Sequence, residues 1–350
     1  MSPKLVSIIC LIVVKFAAIS QREHAYRIHT VAFYNLENLF DIYDNPITFD
    51  NDRTPEGTDH WTLEKYQHKV TNLAKVISEI GVEKARNSPI LIGLAEVENR
   101  KVLEDLVNEL TLKPFQYQII HYDSPDRRGV DVALLYQPKY FKFKKSRTYE
   151  LKLYDENDLS KRIYTRDQLV VSGYLENELI YIIVNHWPSR RGGEARSSYK
   201  REQAARLNLR IMDSIFDIDP YAKIITMGDF NDDPNNKSIT KILKAKYNKN
   251  NVRLRELYNP MAKLHKKGIG SLAYGDSWNL FDQLIFSKSF VDKDFTTYQL
   301  YKTAIFNPLY LSNTSGKYKG YPFRSMVGHR FTGGYSDHYP VYSYLIKRVD

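Results

Sequence analysis

Apolar residues recur along this chain in two periods, and these periods predict a mixture of helices and strands. Between residues 61 and 80, apolar side chains return every three or four positions, which predicts an amphipathic helix with Thr62 beside its start. The same spacing over residues 102–110 predicts a second helix, and residues 198–216 predict a third.

Shorter runs rich in β-branched and aromatic residues predict strands. They lie at residues 28–34, 90–97, 130–136, 169–175, 179–184, 223–227, 283–286 and 339–346. The fourth and fifth runs flank Glu176-Asn177-Glu178, which predicts a hairpin. Consecutive strands interrupted by only a few helices argue against a simple doubly wound sheet. They favour an α/β fold of two packed mixed β-sheets flanked by helices.

The N-terminal segment differs from the rest of the chain. Lys4 precedes an apolar run at residues 5–14, and residues 18–20 (Ala-Ile-Ser) place small residues before a cleavage point. This pattern predicts a signal peptide at residues 1–20, with export to the periplasm or the medium. A retained membrane anchor is the alternative, but the run is shorter than the roughly 20 apolar residues that span a bilayer. We therefore expect no stable membrane insertion after cleavage.

Composition narrows the chemistry of the remaining residues 21–350, which we interpret as a single catalytic domain. The one cysteine, Cys10, lies in the predicted signal peptide, so a mature chain would contain no disulfide, thiolate nucleophile or cysteine-bound metal. Hydrophobic residues make up 43% of the chain, enough for a large core. The formal net charge of +10 falls by only two on cleavage, and this positive charge favours a polyanionic or phosphorylated substrate.

Polar residues with catalytic potential cluster at the predicted strand ends. Such residues alone are usually turn formers. Side chains at sheet ends can also leave the core and converge in one cleft. The candidates in chain order are Asn35, Glu37, Glu96, Asn185, His186, Asp229, Asn231, Asp282, Asp337 and His338.

Six short motifs carry these residues in a fixed order. They are Tyr34-Asn35-Leu36-Glu37-Asn38, Leu94-Ala95-Glu96-Val97, Asn185-His186-Trp187, Gly228-Asp229-Phe230-Asn231, Phe281-Asp282-Gln283 and Ser336-Asp337-His338-Tyr339-Pro340. This series resembles the endonuclease/exonuclease/phosphatase superfamily, which includes deoxyribonuclease I, abasic-site endonucleases, bacterial sphingomyelinases and inositol-polyphosphate phosphatases. Residues 35–40 and 186–193 are also similar to a bacterial subgroup described as extracellular nucleases.

The resemblance implies a four-layer α/β sandwich and hydrolysis of a phosphate ester by metal-activated water. Glu96 matches the metal-binding glutamate of the family. Asp337 is a candidate for a second or alternative metal position, with Asn35 nearby and Glu37 assisting. Such hard oxygen ligands suit a divalent cation, with Mg²⁺ preferred and Mn²⁺ or Ca²⁺ as alternatives.

The resemblance also implies roles for the remaining candidates. His338 matches the general base, and Asp282 matches the carboxylate that orients it and stabilises the imidazolium. Asp229 would position the water or the leaving oxygen, and Asn231 would donate a hydrogen bond to phosphate. His186 matches a second histidine that acts as a general acid or a phosphate donor.

Arginines near these motifs are candidates for phosphate binding. Arg190 and Arg191 follow His186 on a glycine-containing loop, and Arg128 precedes Gly129. Two long segments beside the motifs, residues 307–335 and the weaker candidate 44–60, are predicted to contact substrate.

Three functions fit these features to different degrees. The first is a nuclease acting on DNA or RNA, which the positive charge and the arginines favour. The second is a phosphatase or phosphodiesterase for small molecules or lipid headgroups. The residues around Asp282 lack the Trp-Cys-Asp-Arg pattern of inositol-polyphosphate phosphatases, which argues against that class. The sequence also lacks the adjacent pair of exposed aromatic residues on a hairpin that a bacterial sphingomyelinase would be expected to have. The third is a non-catalytic binding protein on the same scaffold. The sequence identifies no protein partner.

Overall fold

Two six-stranded mixed sheets form the centre of the computed structural model, which describes residues 25–292 and 294–349. The predicted signal peptide lies outside these residues. The first sheet contains β1 (Ala25–Leu39), β2 (Leu91–Val97), β3 (Gln118–His121), β4 (Asp131–Tyr136), β15 (Gln299–Ile305) and β18 (Val341–Val349), in the spatial order β15-β18-β1-β2-β4-β3. The second contains β5 (Phe141–Tyr149), β8 (Gln168–Leu175), β9 (Glu178–His186), β10 (Lys223–Asp229), β11 (Leu257–Tyr258) and β14 (Asp282–Ser287), in the order β11-β14-β10-β9-β8-β5.

Smaller elements complete the described part of the chain. Three two-stranded ribbons are formed by β6 (Leu153–Tyr154) with β7 (Arg162–Ile163), β12 (Leu272–Tyr274) with β13 (Ser277–Asn279), and β16 (Met326–Val327) with β17 (Arg330–Phe331). The α-helices are α1 (Leu63–Glu79), α2 (Val82–Ala85), α3 (Arg100–Asn108), α4 (Glu194–Phe216) and α5 (Met261–His265). Within residues 25–292 and 294–349, no helix combines the length and apolar character needed to cross a membrane.

Alternation along the strands buries both faces of each sheet. In β1, Val31 and Phe33 face the second sheet, whereas Ala32 and Tyr34 face the cluster that contains α1 and α3. On the far side, α4 packs on the second sheet, where Met212 belongs to the same buried cluster as strand residues. The order of layers is helices, sheet, sheet, helix, which confirms the predicted four-layer sandwich.

The helices were predicted well, with small errors at their ends. Thr62 caps α1, because its side chain accepts a hydrogen bond from the Lys65 backbone N–H. The predicted second helix extended too far, since α3 ends at Asn108 and Leu110 is 81% exposed. The third begins at Glu194, four residues earlier than the apolar pattern indicated, because its first turn is exposed and carries no apolar stripe.

Strand pairing aligns the candidate residues at one end of the two sheets. Asp229 lies opposite His186 in the parallel β9–β10 pair and opposite Asp282 in the antiparallel β10–β14 pair. In the first sheet, parallel pairing places Asn35 opposite Ala95, the neighbour of Glu96.

Some boundaries differ from those predicted. β1 extends to Leu39, so Asn35 and Glu37 lie inside a strand rather than after one. Asp337 and His338 do not immediately precede the last strand, which begins at Val341.

Candidate active site

The ends of β1 and β2 meet the ends of β9, β10 and β14 in one cleft. The Asn35 side-chain amide donates a hydrogen bond to Asp229 Oδ2 at 3.1 Å and so joins the two sheets. His186 Nε2 lies 3.8 Å from Glu96 Oε1 and 3.8 Å from Asp229 Oδ2. The strand ends therefore bring together residues that are up to about two hundred positions apart in sequence.

A buried histidine–carboxylate pair borders this cluster. His338 Nδ1 donates to Asp282 Oδ2 at 2.6 Å, and the Ser271 hydroxyl donates to the same oxygen at 2.5 Å. The His338 backbone N–H donates to Ser336 Oγ at 3.1 Å. With Nδ1 held by the carboxylate, His338 Nε2 is left to exchange a proton with a substrate or water.

Opposing effects act on the pKa of His338. Burial alone lowers this pKa, but the carboxylates of Asp282, Asp337 and Asp229 outweigh burial and raise it well above its usual range. The imidazole therefore has a high affinity for a proton. This property suits a group that receives a proton during a reaction.

Asp229 lies at the centre of the cluster. Its two oxygens accept hydrogen bonds from Asn35 Nδ2 and from the Asn231 backbone N–H. Burial, followed by repulsion from Asp282, raises the pKa of Asp229 to about 7. Asp229, Asp282 and His338 each place a ligating atom within 4.8 Å of the others.

Strained backbone conformations concentrate at this cleft. Glu37, Asn38, Glu96 and Asn231 all have left-handed φ values, between 50° and 60°. Each such residue costs roughly 1–3 kcal/mol, so the surrounding structure must compensate for it. At Glu96 the strand register also shifts, and the carboxylate accepts the Asn38 N–H at 3.0 Å.

The donor set fits a divalent cation with oxygen ligands. The carboxylates of Glu96 and Asp229 supply hard oxygen atoms, and the Asn35 amide lies beside them with its Oδ1 accepting the Glu37 N–H at 3.0 Å. Burial raises the pKa of Asp229 most, and the Asp282 and Glu96 carboxylates add to the rise; a cation would offset the effect of these neighbouring charges. The predicted metal residues Glu96 and Asn35 therefore lie where a cation is favoured.

Glu37 and Asp337 have a different environment. Glu37 accepts hydrogen bonds from the Ser325 N–H at 2.5 Å, the Ser325 hydroxyl at 2.8 Å and Arg324 Nε at 3.2 Å. Arg324 also binds Asp337 Oδ2 at 2.7 Å. The Glu37 carboxylate supports the Arg324–Ser325 loop through these bonds, which would compete with a cation, and its role as a metal ligand stays a prediction. Asp337 keeps Oδ1, which lies 3.9 Å from His338 Nε2.

His186 is buried in surroundings that favour its neutral form. Burial, then the guanidinium groups of Arg166 and Arg128, lower the pKa of His186 well below its usual range. Its Nδ1 has no hydrogen-bond partner among the described residues. These features fit a neutral hydrogen-bonding group better than a general acid.

Asn231 is held mainly by the protein. Its side-chain amide donates to the Trp187 carbonyl at 3.0 Å, and its backbone N–H binds Asp229. The residue borders the cleft with 9% of its surface exposed. One amide hydrogen therefore remains for a ligand.

Arg190 is held by the protein. Its guanidinium donates to the Asn231 carbonyl at 2.9 Å, to Asp233 at 3.2 Å and to Asn236 at 3.0 Å, and also contacts Asp232 and Glu194. These bonds anchor the loop after β10 and leave one Nη1 N–H, so the contact of Arg190 with phosphate stays a prediction.

The other two predicted phosphate contacts remain at the surface. Arg191 and Arg128 are both exposed, and Arg128 Nε lies 3.5 Å from Asp126. Arg128 also lies close enough to His186 to influence its pKa. Both guanidinium groups can therefore reach an anion in solvent.

Several supporting residues were missed in the sequence. Arg166 is buried and donates to the Trp187 carbonyl at 2.7 Å and to Asp126 at 3.0 Å. Ser271 and Arg324 hold Asp282 and Asp337. No motif marks them, although Arg324 lies in the long segment 307–335 that was predicted to contact substrate.

Comparisons with known proteins identify structures with the same fold. Among crystal structures, D. rerio TDP2 complexed with a single-strand DNA product is 11% identical, with a TM-score of 0.54 over 91% of this chain and 98% of that one. An endonuclease/exonuclease/phosphatase family protein from Bacteroides thetaiotaomicron is 15% identical, with a TM-score of 0.52 and coverage of 93% and 96%. The mannosyl-6-phosphatase from that organism is 15% identical, with a TM-score of 0.50 and coverage of 92% and 100%.

These likenesses establish the fold, and sequence comparison establishes the family. Comparison with curated proteins finds no significant match. A profile of the Endonuclease/Exonuclease/phosphatase family matches residues 30–347, nearly the whole described chain. The chain therefore belongs to the endonuclease/exonuclease/phosphatase family, whose members are phosphoric ester hydrolases.

Proposed function

We propose that this protein is a metal-dependent phosphodiesterase that hydrolyses nucleic acid. The observation that carries the proposal is the His338–Asp282 pair at 2.6 Å, set against the carboxylates of Glu96 and Asp229, which both lie 3.8 Å from His186 Nε2. A proton acceptor and a cation-binding cluster at one sheet end are the two parts that hydrolysis of an anionic ester requires.

Each group has a role that follows from its surroundings. Glu96, Asp229 and Asn35 would hold the cation, which supplies positive charge against the phosphate oxygens. His338 Nε2 accepts the proton of the attacking water. Asp282 keeps the ring oriented and stabilises the imidazolium that forms.

The remaining groups bind the phosphate and the leaving oxygen. Neutral His186 donates a hydrogen bond to a phosphate oxygen, and the free amide hydrogen of Asn231 adds a second one. Asp229 positions the water or the leaving oxygen. Exposed Arg191 and Arg128 attract the polyanion from solvent.

A polymeric nucleic acid, DNA or RNA, suits this chain better than a small ester. The formal net charge is +10, and phosphate polymers bind basic surfaces through counterion release. The TDP2 structure, which has a single-strand DNA product bound, supports the same substrate class. A mannosyl-6-phosphatase of the same fold makes a small phosphomonoester the alternative to be tested.

The test is a panel of substrates with the purified protein. Supercoiled plasmid, single-stranded DNA, RNA, mannose 6-phosphate and sphingomyelin are incubated with Mg²⁺ or Mn²⁺, and again with chelator. We expect metal-dependent cleavage of nucleic acid that is absent in folded His338→Ala. Turnover confined to a small ester or lipid would refute the nuclease proposal. No turnover of any substrate would favour a binding protein.

We also propose export, with residues 21–350 acting as one catalytic domain and with membership of the bacterial extracellular subgroup. Support comes from the apolar run at residues 5–14 and the small residues that follow it. N-terminal sequencing after expression in a bacterium, with separate recovery of periplasm and medium, tests this proposal. A cytoplasmic protein that retains residues 1–20 would contradict it.

A further inference from the structure

A cavity of about 360 Å³ opens beside the candidate active site. It lies between the β12–β13 hairpin and residues 313–332, and Arg324 and Asp337 form part of its wall. Its volume falls in the range of ligand pockets, roughly 300–1,000 Å³. Asp337 Oδ1 is 3.9 Å from His338 Nε2, so whatever occupies the cavity lies next to the reacting phosphate.

We propose that this cavity binds the base of an unpaired nucleotide adjacent to the scissile phosphate, so that the enzyme prefers single-stranded nucleic acid or frayed ends. The inference rests on the proposed nuclease function and deepens it. The residues that carry it are the tyrosines of the cavity wall, Tyr274, Tyr318 and Tyr321.

The aromatic wall is exposed and supported from behind. Tyr274 is 81% exposed and Tyr318 is 52% exposed, although each ring would gain by leaving water. Trp278 packs edge-on against Tyr321 at 5.5 Å and stacks on Tyr339 at 6.1 Å with an interplanar angle of 16°. Supported aromatic rings that face an open cavity are typical of surfaces on which bases stack.

The polar groups of the cavity fit a sugar poorly. The Asn313 side-chain amide already donates to the backbone carbonyls of Tyr321 and Pro322, at 3.2 and 3.0 Å. The Asp276 carboxylate accepts the Tyr321 hydroxyl at 3.2 Å. The Asn313 and Asp276 side chains are thus already bonded to the protein, while the ring of Tyr274 is exposed to the cavity.

The formal charges of the cavity lining balance. Lys317 and Arg324 carry positive charge, whereas Asp276 and Asp337 carry negative charge, and Arg324 is bonded to Asp337 at 2.7 Å. A flat, uncharged base suits a lining of aromatic rings whose charges cancel. Lys317 Nζ lies 5.7 Å from the centre of the Tyr318 ring, so a base on Tyr318 would take the place of this ammonium group or stack on the opposite face.

Base stacking on this wall requires an unpaired nucleotide. In a duplex, both faces of a base are covered by its neighbours, so a base must leave the stack before it can lie on a tyrosine. Stacking on one aromatic side chain changes binding by roughly 5- to 100-fold. We therefore expect a preference for single strands of this order.

Binding can be tested apart from catalysis. The affinities of a fluorescently labelled single-stranded oligonucleotide and of its duplex are measured by anisotropy, with chelator present so that no hydrolysis occurs. Tyr274→Ala and Tyr318→Ala are compared with Tyr221→Ala and Tyr247→Ala, which remove tyrosines 69% and 72% exposed outside the cavity wall. The cavity variants should weaken single-strand binding roughly 5- to 100-fold and leave duplex binding unchanged, and the control variants should have no effect.

Tryptophan fluorescence gives an independent readout. Trp278 is 36% exposed, whereas Trp61 and Trp187 are almost fully buried, so quenching by the unlabelled oligonucleotide reports mainly on Trp278. Equal affinity for single strand and duplex, with no effect of the cavity variants, would overturn the inference. Weakened binding of those variants to sphingomyelin vesicles, but not to oligonucleotide, would instead assign the hairpin to a membrane.

The outcomes also separate this inference from the nuclease proposal. Stacking without any cleavage in Mg²⁺ would leave the base site standing and refute the nuclease. Cleavage with no preference for single strands and no effect of Tyr274→Ala would leave the nuclease standing and refute the base site.

Discussion

Replacement of Asp282 by Asn isolates the contribution of a single negative charge to the site. The carboxylate is 1% exposed and binds His338 Nδ1 at 2.6 Å. A buried hydrogen bond to a charged group contributes about 1.5–3 kcal/mol, which equals roughly 1–2 pKa units. Because Asp282 raises the pKa of His338, Asp282→Asn should lower that pKa by this amount.

Two kinetic consequences follow for a general base. Activity requires neutral His338, so kcat/KM should rise with pH through the raised pKa. In Asp282→Asn this rise should move to lower pH by roughly 1–2 units. The plateau should fall by roughly 10⁴-fold, because the amide no longer orients the ring or stabilises the imidazolium.

The assay is the pH profile of kcat/KM for oligonucleotide cleavage in saturating Mg²⁺. Ser271→Ala is the matched control, since it removes one hydrogen bond from Asp282 and keeps the charge. It should cost about tenfold or less. A profile for Asp282→Asn that keeps its position, or a loss smaller than that of Ser271→Ala, would refute the reasoning.

Three further predictions concern other residues. Arg190→Ala should lower the free energy of unfolding by about 2 kcal/mol in urea denaturation, because Asp233 loses a charged donor and keeps the Leu280 N–H and His265, whereas Arg191→Ala should leave stability unchanged and raise KM. An unchanged unfolding midpoint for Arg190→Ala would contradict this. Glu96→Gln should weaken Mg²⁺ binding at least roughly tenfold by calorimetry without unfolding the protein, and unaltered affinity would exclude Glu96 as a ligand. Burial, then Arg27, lowers the pKa of His29 to about 4, so stability should fall by about 3 kcal/mol as the pH falls from 6.5 to about 4. His29→Gln should weaken this dependence of the unfolding free energy on pH. A variant with the same dependence as the wild type would show that His29 is not its cause.

The layer order and the cleft could be predicted because they depend on local patterns. Apolar runs place Glu96, His186 and Asp229 at or beside strand ends, and strand pairing then brings those ends together, with Asn35 of β1 opposite Ala95. A strand end is visible in the sequence, and the convergence follows from sheet geometry. The structure places these residues in one cleft.

The roles of arginines and acids could not be predicted because they depend on competition between distant groups. Arg190 looks free in sequence, yet Asp233 and Asn236, more than 40 positions away, take up its donors. In the same way, the Glu37 carboxylate accepts a hydrogen bond from Ser325, which is 288 positions away. No local sequence pattern shows which distant residue will bind a given side chain.

The β12–β13 hairpin is different, because its signal was present in the sequence. Gly275 and Asp276 have φ values of 55° and 61°, and they connect two strands of three residues each. A Gly-Asp pair between short β-prone segments is a known hairpin signature. Tyr274 is exposed beside this turn but stands between Ala273 and Gly275, so the expectation about adjacent pairs of exposed aromatics did not single it out.

The central claim is that one metal-dependent site, with His338 as its base, cleaves phosphodiester bonds in nucleic acid. Its most direct test is cleavage of a labelled single-stranded oligonucleotide by the wild-type protein and by His338→Ala, with Mg²⁺ affinity measured on both. We expect the wild-type protein to cleave the oligonucleotide and chelator to abolish this cleavage. His338→Ala should still bind Mg²⁺ but should have a kcat at least about 10³-fold lower. Cleavage by His338→Ala at the wild-type rate, or cleavage that persists in chelator, would contradict it.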